Sequence, residues 1–158
     1  MVTADLRVPV AALPAVVTFV GGGSSSGRIY VPAVASRHGG PTRPDEWINE
    51  APPFFPFLPD EGERPVLVNK AAVVALTVPA WSDEPDPDEA VLVPQCAAVI
   101  ECGAASFRGL VALDLPAHQG RVLDVLNLAT GFLTVGDGDR HHLINKRHIV
   151  RVVEERSA

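Results

Sequence analysis

Short runs of β-branched and aromatic residues, separated by glycine, proline and acidic residues, make up the hydrophobic pattern of the chain. Val16–Val20 is one such run, and Arg28–Val31 follows it after a glycine-rich segment. Runs of this length and composition predict β-strands. Further strands are predicted at 54–58, 65–68 and 73–78 in the first half and at 96–102, 107–113 and 149–153 in the second.

Glycine and proline mark the ends of these predicted strands. Gly21–Gly27 is predicted to be a flexible hairpin loop, because the Gly-Lys-Ser or Gly-Lys-Thr ending of a phosphate-binding loop is missing. Asp45–Asn49 has the pattern of a helical turn that two prolines end. Phe54–Leu58 contains a proline, which favours an edge strand or a bulge. Residues 1–15 fit either a strand or an extended arm, since their prolines exclude a stable helix.

The chain repeats one short motif near the end of each half. Leu67–Lys70 reads Leu-Val-Asn-Lys and Leu143–Lys146 reads Leu-Ile-Asn-Lys, and two variable and two aliphatic residues follow each. Upstream positions recur in the same order, with length changes confined to predicted loops. These pairs are Arg43 with Arg121, Glu46 with Asp124, Asn49 with Asn127 and Phe54 with Phe132. A repeat in fixed order predicts an internal duplication.

The predicted fold is mainly β, with two tandem small antiparallel β-barrels related by a pseudo-two-fold duplication. Each unit would hold five short strands and one helical turn, and closure into a barrel removes unpaired strand edges. The expected domains are a first barrel with an N-terminal arm at 1–78, an acidic proline-rich linker at 79–94 and a second barrel at 95–158.

Composition places the chain among globular proteins with many turns. Of its 158 residues, 47% are hydrophobic and 20% are charged, and the 15 prolines and 13 glycines argue against long helices. The apolar stretches are too short to span a bilayer, and the N-terminus lacks the layout of a signal peptide. Cys96 and Cys102 are expected to be reduced thiols. The expectation is a cytoplasmic protein without a membrane partner.

The net charge of −6 is concentrated in the predicted linker. Residues 1–78 carry six basic and seven acidic side chains, and residues 98–158 carry seven of each. Residues 79–97 carry five acidic side chains and no basic one. Both predicted barrels are therefore near neutral, so a broad basic surface is not predicted and RNA is disfavoured as a partner.

The repeated motif resembles the segment that joins the fourth and fifth strands in the Sm-like family of five-stranded barrels. Ile144–Ile149 has the length and alternation of that family motif, with Asn-Lys where the family has Arg-Gly. Gly109–Val111 and Leu126–Leu128 are similar to the family's earlier motif. An SH3-like barrel fits the number of strands almost as well.

The Sm-like resemblance implies two functional properties. Members of the family assemble into rings through the edge strands of the barrel, and many bind single-stranded RNA in the loops that hold the two motifs. Single-strand binding also uses stacking platforms, whereas Phe54, Phe55 and Phe57 are expected in the core. By the resemblance, the ligand contacts would be Asn127, Asn145 and Lys146, with Asn49, Asn69 and Lys70 as their first-half equivalents.

The Asn-Lys pair also has a structural interpretation, which the sequence favours. An asparagine at the end of a strand makes a tight turn by bonding its own backbone or by adopting a left-handed conformation, and the lysine then points to water. Asp124 and Glu46 are expected to cap their helical turns or to pair with Arg121 and Arg43.

The histidines of the second half suggest a metal site less than they suggest solvated or turn-associated side chains. His141 and His142 are adjacent, so on a strand they point to opposite faces, and His148 lies beyond the repeated motif. The two cysteines lack the closely spaced pairs of a structural zinc site. The sequence predicts no metal and no cofactor.

A catalytic arrangement is not predicted either. A hydroxyl–imidazole–carboxylate triple can be drawn from Ser106, His118 and Asp114, but any chain of this size offers such a triple. The sequence therefore predicts a non-enzymatic binding or assembly module, whose partner is an unknown protein or a second copy. An Sm-like RNA-binding protein is the alternative hypothesis, and a metal-dependent or hydrolytic enzyme is the third.

Overall fold

The structure of the chain, a computed structural model, describes residues 9–34, 41–81, 93–113, 115 and 120–155. The fold is mainly β, with 54% strand and 13% helix, and its ten strands form one antiparallel sheet. Most of the predicted linker and of the predicted N-terminal arm lies outside the described residues. None of the described helices is long and apolar enough to cross a membrane.

The two halves of the chain contain the same elements in the same order. The first half has β1 (Val10–Phe19), β2 (Ser24–Pro32), α1 (Pro44–Ile48), β3 (Phe54–Pro59), β4 (Val66–Asn69), a 3₁₀ helix (Lys70–Ala72) and β5 (Val73–Pro79). The second half has β6 (Gln95–Cys102), β7 (Ala105–Ala112), α2 (Val122–Leu126), β8 (Phe132–Asp137), β9 (Arg140–Asn145), a 3₁₀ helix (Lys146–His148) and β10 (Arg151–Glu154).

The sheet is continuous and open, with the strand order β10-β6-β7-β8-β9-β5-β1-β2-β3-β4. The two closed barrels expected from the sequence are therefore not formed, because β5 pairs with β9 of the second half and not with β4. This junction joins the fifth strand of one half to the fourth strand of the other. Such a contact is head to tail, and it is not the two-fold contact expected from the sequence. Strands β4 and β10 form the two outer edges.

Two hydrophobic cores lie on opposite faces of the central β5–β9 pair. The first core contains Ile29, Phe57 and Leu76, together with Leu143 from the second half. The second core contains residues of β6 to β9, together with Ala75 from the first half. Because successive side chains of a strand point to opposite faces, each strand of the central pair contributes to both cores.

The two short helices begin with the same polar arrangement. The Glu46 carboxylate accepts a hydrogen bond from the Arg43 backbone N–H at 3.3 Å, and Asp124 accepts one from Arg121 N–H at 3.2 Å. The arginine side chains also form ion pairs with these carboxylates. Capping and charge pairing, which the sequence offered as alternatives, occur together.

Prolines lie where one side of a strand has no partner. β1 begins at Val10 and includes Pro14, but its pairing with β5 starts only at Val16. β3 includes Pro56, and its pairing with β2 starts at Phe57. A proline there removes no ladder hydrogen bond. β3 is nevertheless an interior strand between β2 and β4, and only its first residues lack a partner on the β2 side.

A glycine is required at the same place in both halves. A Cβ on Gly27 in β2 would collide with the backbone carbonyl of Leu58, and a Cβ on Gly109 in β7 would collide with that of Gly136. Close approach of two backbones is a position that only glycine fills without distortion. At this glycine, the backbones of the second and third strands of each half lie in close contact, and this contact is the glycine crossing of each half.

Candidate functional site

The junction between β5 and β9 holds the two halves of the chain together. Its register pairs Leu76 with Leu143 and Ala75 with Ile144, and all four side chains are fully buried. Burying aliphatic side chains stabilises a contact by roughly 1.5–3 kcal/mol for each large residue. The junction is therefore packed as tightly as a protein interior.

Asn145, a predicted ligand contact, ties the end of β9 to the first half. Its amide nitrogen donates to the Lys70 carbonyl at 3.2 Å and to the Val73 carbonyl at 3.1 Å. Its side-chain oxygen accepts from Arg147 N–H at 3.1 Å, and the residue is only 5% exposed. The backbone at Asn145 is extended and not left-handed. One side chain thus makes both the tight turn and the cross-link.

Asn49 makes a second cross-link at the same end of the junction, since Phe132 pairs with Asn145. Its side-chain oxygen accepts from Phe132 N–H at 2.9 Å, and its amide nitrogen donates to the Asp45 carbonyl at 2.8 Å. Phe132 is 7% exposed and packs into the first core. Asn49 therefore places the start of β8 against α1.

The two motif lysines do not point to water, contrary to the sequence-based expectation. The Lys146 amine donates to the Val125 and Leu128 carbonyls, each at 3.1 Å, and to the Thr130 hydroxyl at 3.2 Å. The Lys70 amine donates to the Glu50 carbonyl at 2.9 Å. Partial burial lowers the pKa of both amines. Each lysine donates to backbone carbonyls in or just after the short helix of its own half.

Of the remaining two predicted contacts, Asn69 lies on the outer strand β4 and Asn127 lies at the end of α2. Asn69 is the first-half equivalent of Asn145, and it is exposed at the end of β4. It keeps the turn, accepting from Ala71 N–H at 3.0 Å, but its amide nitrogen meets no acceptor among the described residues. Asn127 is the equivalent of Asn49, and it is exposed beyond α2. The asparagine of the Asn-Lys motif thus cross-links the two halves in the second half of the chain, whereas in the first half it bonds only its own turn.

Apolar residues show the same division between the inner junction and the outer edges. Leu143 is fully buried and its equivalent Leu67 is 75% exposed, while Phe132 is 7% exposed and its equivalent Phe54 is 54% exposed. Phe54 therefore departs from the predicted core position, which Phe55 and Phe57 do occupy. Isolated exposed apolar residues are common, but these exposed residues are the equivalents of residues buried in the junction.

His142 is buried in the junction, which contradicts the expected solvated position. Its Nδ1 lies 2.8 Å from the Thr77 hydroxyl and its Nε2 lies 3.1 Å from the Asp137 carboxylate. The ring also contacts Phe107, with centroids 5.1 Å apart. An ionised carboxylate only accepts hydrogen bonds, so His142 Nε2 carries a proton and donates to Asp137. The hydrogen bond from His142 lowers the pKa of Asp137.

His141 and His148 also lie along this junction. The His141 ring stacks on Trp81 with centroids 3.9 Å apart, and its Nδ1 accepts from the Trp81 N–H at 3.3 Å. His148 lies with Nε2 2.7 Å from the Ala71 carbonyl and donates to it. None of the three histidines has a histidine at the equivalent position of the first half. The histidines thus distinguish the inner junction from the outer edges.

The arrangement around Thr77 offers polar contacts. A groove of about 410 Å³ beside Thr77 is lined by two arginines and two aspartates, Arg28, Arg140, Asp60 and Asp139, so its charge is balanced. Within the described ranges, no three metal-ligating side chains come together. Of the catalytic triple drawn from the sequence, His118 and Asp114 lie outside the described residues. The Thr77–His142–Asp137 hydrogen bonds link β5, β9 and β8 across the junction.

No family model matches the chain, and neither a curated protein nor a solved structure matches it significantly. The assignment of a role therefore depends on the geometry of the junction and of the two outer edges.

Proposed function

We propose that the chain is a non-enzymatic assembly module, formed by tandem duplication of one five-stranded β unit. In this proposal, copies of the chain join head to tail, with β4 of one copy adding to β10 of the next. The inner junction of β9 with β5 is the template for that contact. The two outer edges, β4 and β10, are the equivalents of β9 and β5.

The duplication is supported by features that recur at equivalent positions. Both halves have the same element order, the same capping arrangement and the same glycine crossing. The Asn-Lys pair lies between the fourth and fifth strands of each half, which is where the Sm-like resemblance places its motif. An SH3-like unit fits the number of strands almost as well.

One observation carries the proposed function: on the outer edges, the equivalents of the buried junction residues are exposed. Transferring the β9–β5 register to β4 and β10 places Leu67 opposite Val152 and Val66 opposite Val153. Leu67, Val66 and Val153 are exposed in the single chain, by 75%, 46% and 43%. Edge strands normally carry charges or coverings that prevent pairing, so an apolar edge indicates a docking surface.

The polar cross-links transfer to the outer contact as well. In the docked pair, the Asn69 amide would meet the carbonyls of Lys146 and Ile149, which are the equivalents of Lys70 and Val73. The Asn127 oxygen would accept from Phe54 N–H, as Asn49 accepts from Phe132 N–H. Both open asparagines would thereby acquire the partners that their equivalents already have.

RNA binding is the weaker alternative. Of the six residues that the Sm-like resemblance assigns to RNA contacts, five have side chains that bond the protein itself, and Asn127 is exposed. A broad basic surface, the usual electrostatic footprint of an RNA-binding protein, is not supported by the near-neutral halves.

Native mass spectrometry and light scattering over a range of concentrations test the proposed function. We expect the unmodified chain to form dimers and larger species as concentration rises, and Leu67→Lys to remain a monomer because a charge would be buried in the docked edge. Val10→Lys is a matched control, since Val10 is 57% exposed at the start of β1, away from both outer edges. An unmodified chain that stays monomeric at every concentration contradicts the proposal.

A further inference from the structure

The β10 edge differs from β5, its equivalent in the inner junction, because it carries one pair of oppositely charged residues. Arg151 on β10 is opposite Glu101 on β6, and its guanidinium donates to both carboxylate oxygens, with Nη2 3.1 Å from Oε1 and Nε bonded to Oε2. The corresponding pair in the first half is Ala75 on β5 opposite Thr18 on β1. The ion pair lowers the pKa of Glu101, because the carboxylate accepts hydrogen bonds from Arg151.

Docking of a second copy would cover this ion pair with apolar surface. Ala75 is fully buried in the inner junction, where the second core contains Leu133 and Ile144. The equivalents of those two residues on a docking copy are Phe55 and Val68. Arg151, with a side chain 68% exposed in the single chain, would lose most of its water when those residues cover it.

We propose that the Arg151–Glu101 ion pair is a gate on the β10 edge, which weakens docking and keeps the outer junction reversible. The inference rests on the proposed head-to-tail assembly. The cost of removing water from two charges can exceed their mutual attraction, whereas alanine and threonine at the equivalent positions carry no such cost. Charged residues on an edge strand are also a common device against uncontrolled sheet growth. The inner junction has no such ion pair and stays closed, while the contact between β4 of one copy and β10 of another forms and dissociates.

A double-mutant cycle separates this gate from a general effect of charge. The double variant Glu101→Thr with Arg151→Ala reproduces the residues of the inner junction, and we expect its assembly to have a dissociation constant about tenfold lower. Each single variant should assemble more weakly than the unmodified chain, because docking would leave one charge buried without its partner. Arg28→Ala, which removes an exposed arginine of β2 away from both outer edges, should leave assembly unchanged.

Concentration-dependent native mass spectrometry gives the dissociation constants, and thermal unfolding shows that each variant is folded. If the unmodified chain assembles but the double variant assembles equally or more weakly, the gate is overturned and the assembly module stands. If neither the unmodified chain nor the double variant assembles, the proposed function fails and the gate fails with it. Assembly by the double variant alone would support the gate and contradict the proposed function of the unmodified chain.

Discussion

Strands β9 and β4 have nearly the same sequence at their ends and opposite surroundings. β9 lies in the middle of the sheet with Leu143 and Asn145 buried, whereas β4 forms an outer edge with Leu67 and Asn69 exposed. The difference is the partner strand, since β5 covers β9 and no strand among the described residues pairs with the outer side of β4. The same motif therefore lies in a buried junction in one half and on an exposed edge in the other.

The largest expected effect is a difference in the free energy of unfolding between equivalent leucines. Leu143→Ala should destabilise the chain by about 2–5 kcal/mol, because it opens a cavity in the first core. Leu67→Ala should change the stability of the monomer by no more than about 0.5 kcal/mol, as for other exposed sites. Urea unfolding of both variants at low protein concentration measures the difference. Equal losses would mean that β4 is already covered in the monomer.

The two motif asparagines should differ next. Asn145→Ala leaves the Lys70 and Val73 carbonyls without the donor that bridges the halves, and we expect a loss of about 1–3 kcal/mol of unfolding free energy. Asn69→Ala removes only the turn hydrogen bond in the monomer, so its stability cost should be smaller. The same Asn69→Ala variant should weaken assembly, as measured by native mass spectrometry. An Asn69 variant that assembles normally would break the equivalence of the two junctions.

Much of the fold could be predicted from local patterns. The β-branched runs predicted the strands, and the spacing of Arg43 and Glu46 predicted the capped helical turn. The order of the repeated pairs predicted a duplication, and the same elements occur in the same order in both halves. These features depend on residues a few positions apart, where sequence patterns are most informative.

The role of the candidate site could not be predicted in the same way. Asn145 and Asn69 have the same local sequence, and only contacts with residues more than 70 positions away separate them. The burial of His142 has the same origin, since Thr77 lies on the partner strand β5. Closure of each half into a barrel was wrong because β5 pairs with a strand of the other half, which no local pattern reports.

The smallest expected effect concerns the acid response of the inner junction, which the outer edges should lack. Asp137 has a pKa below its ordinary value in the folded chain, so it contributes stability above its unfolded pKa, and that contribution is lost as the pH falls through the folded pKa. Asp137→Asn should therefore reduce the unfolding free energy near neutral pH and flatten its decline in the range below about pH 4. Glu61→Gln, in the β3–β4 turn of the outer edge, is the control for removing one acidic side chain. Urea unfolding at a series of pH values measures both. Parallel profiles for Asp137→Asn and the unmodified chain would show that the His142 contact does not couple the junction to pH.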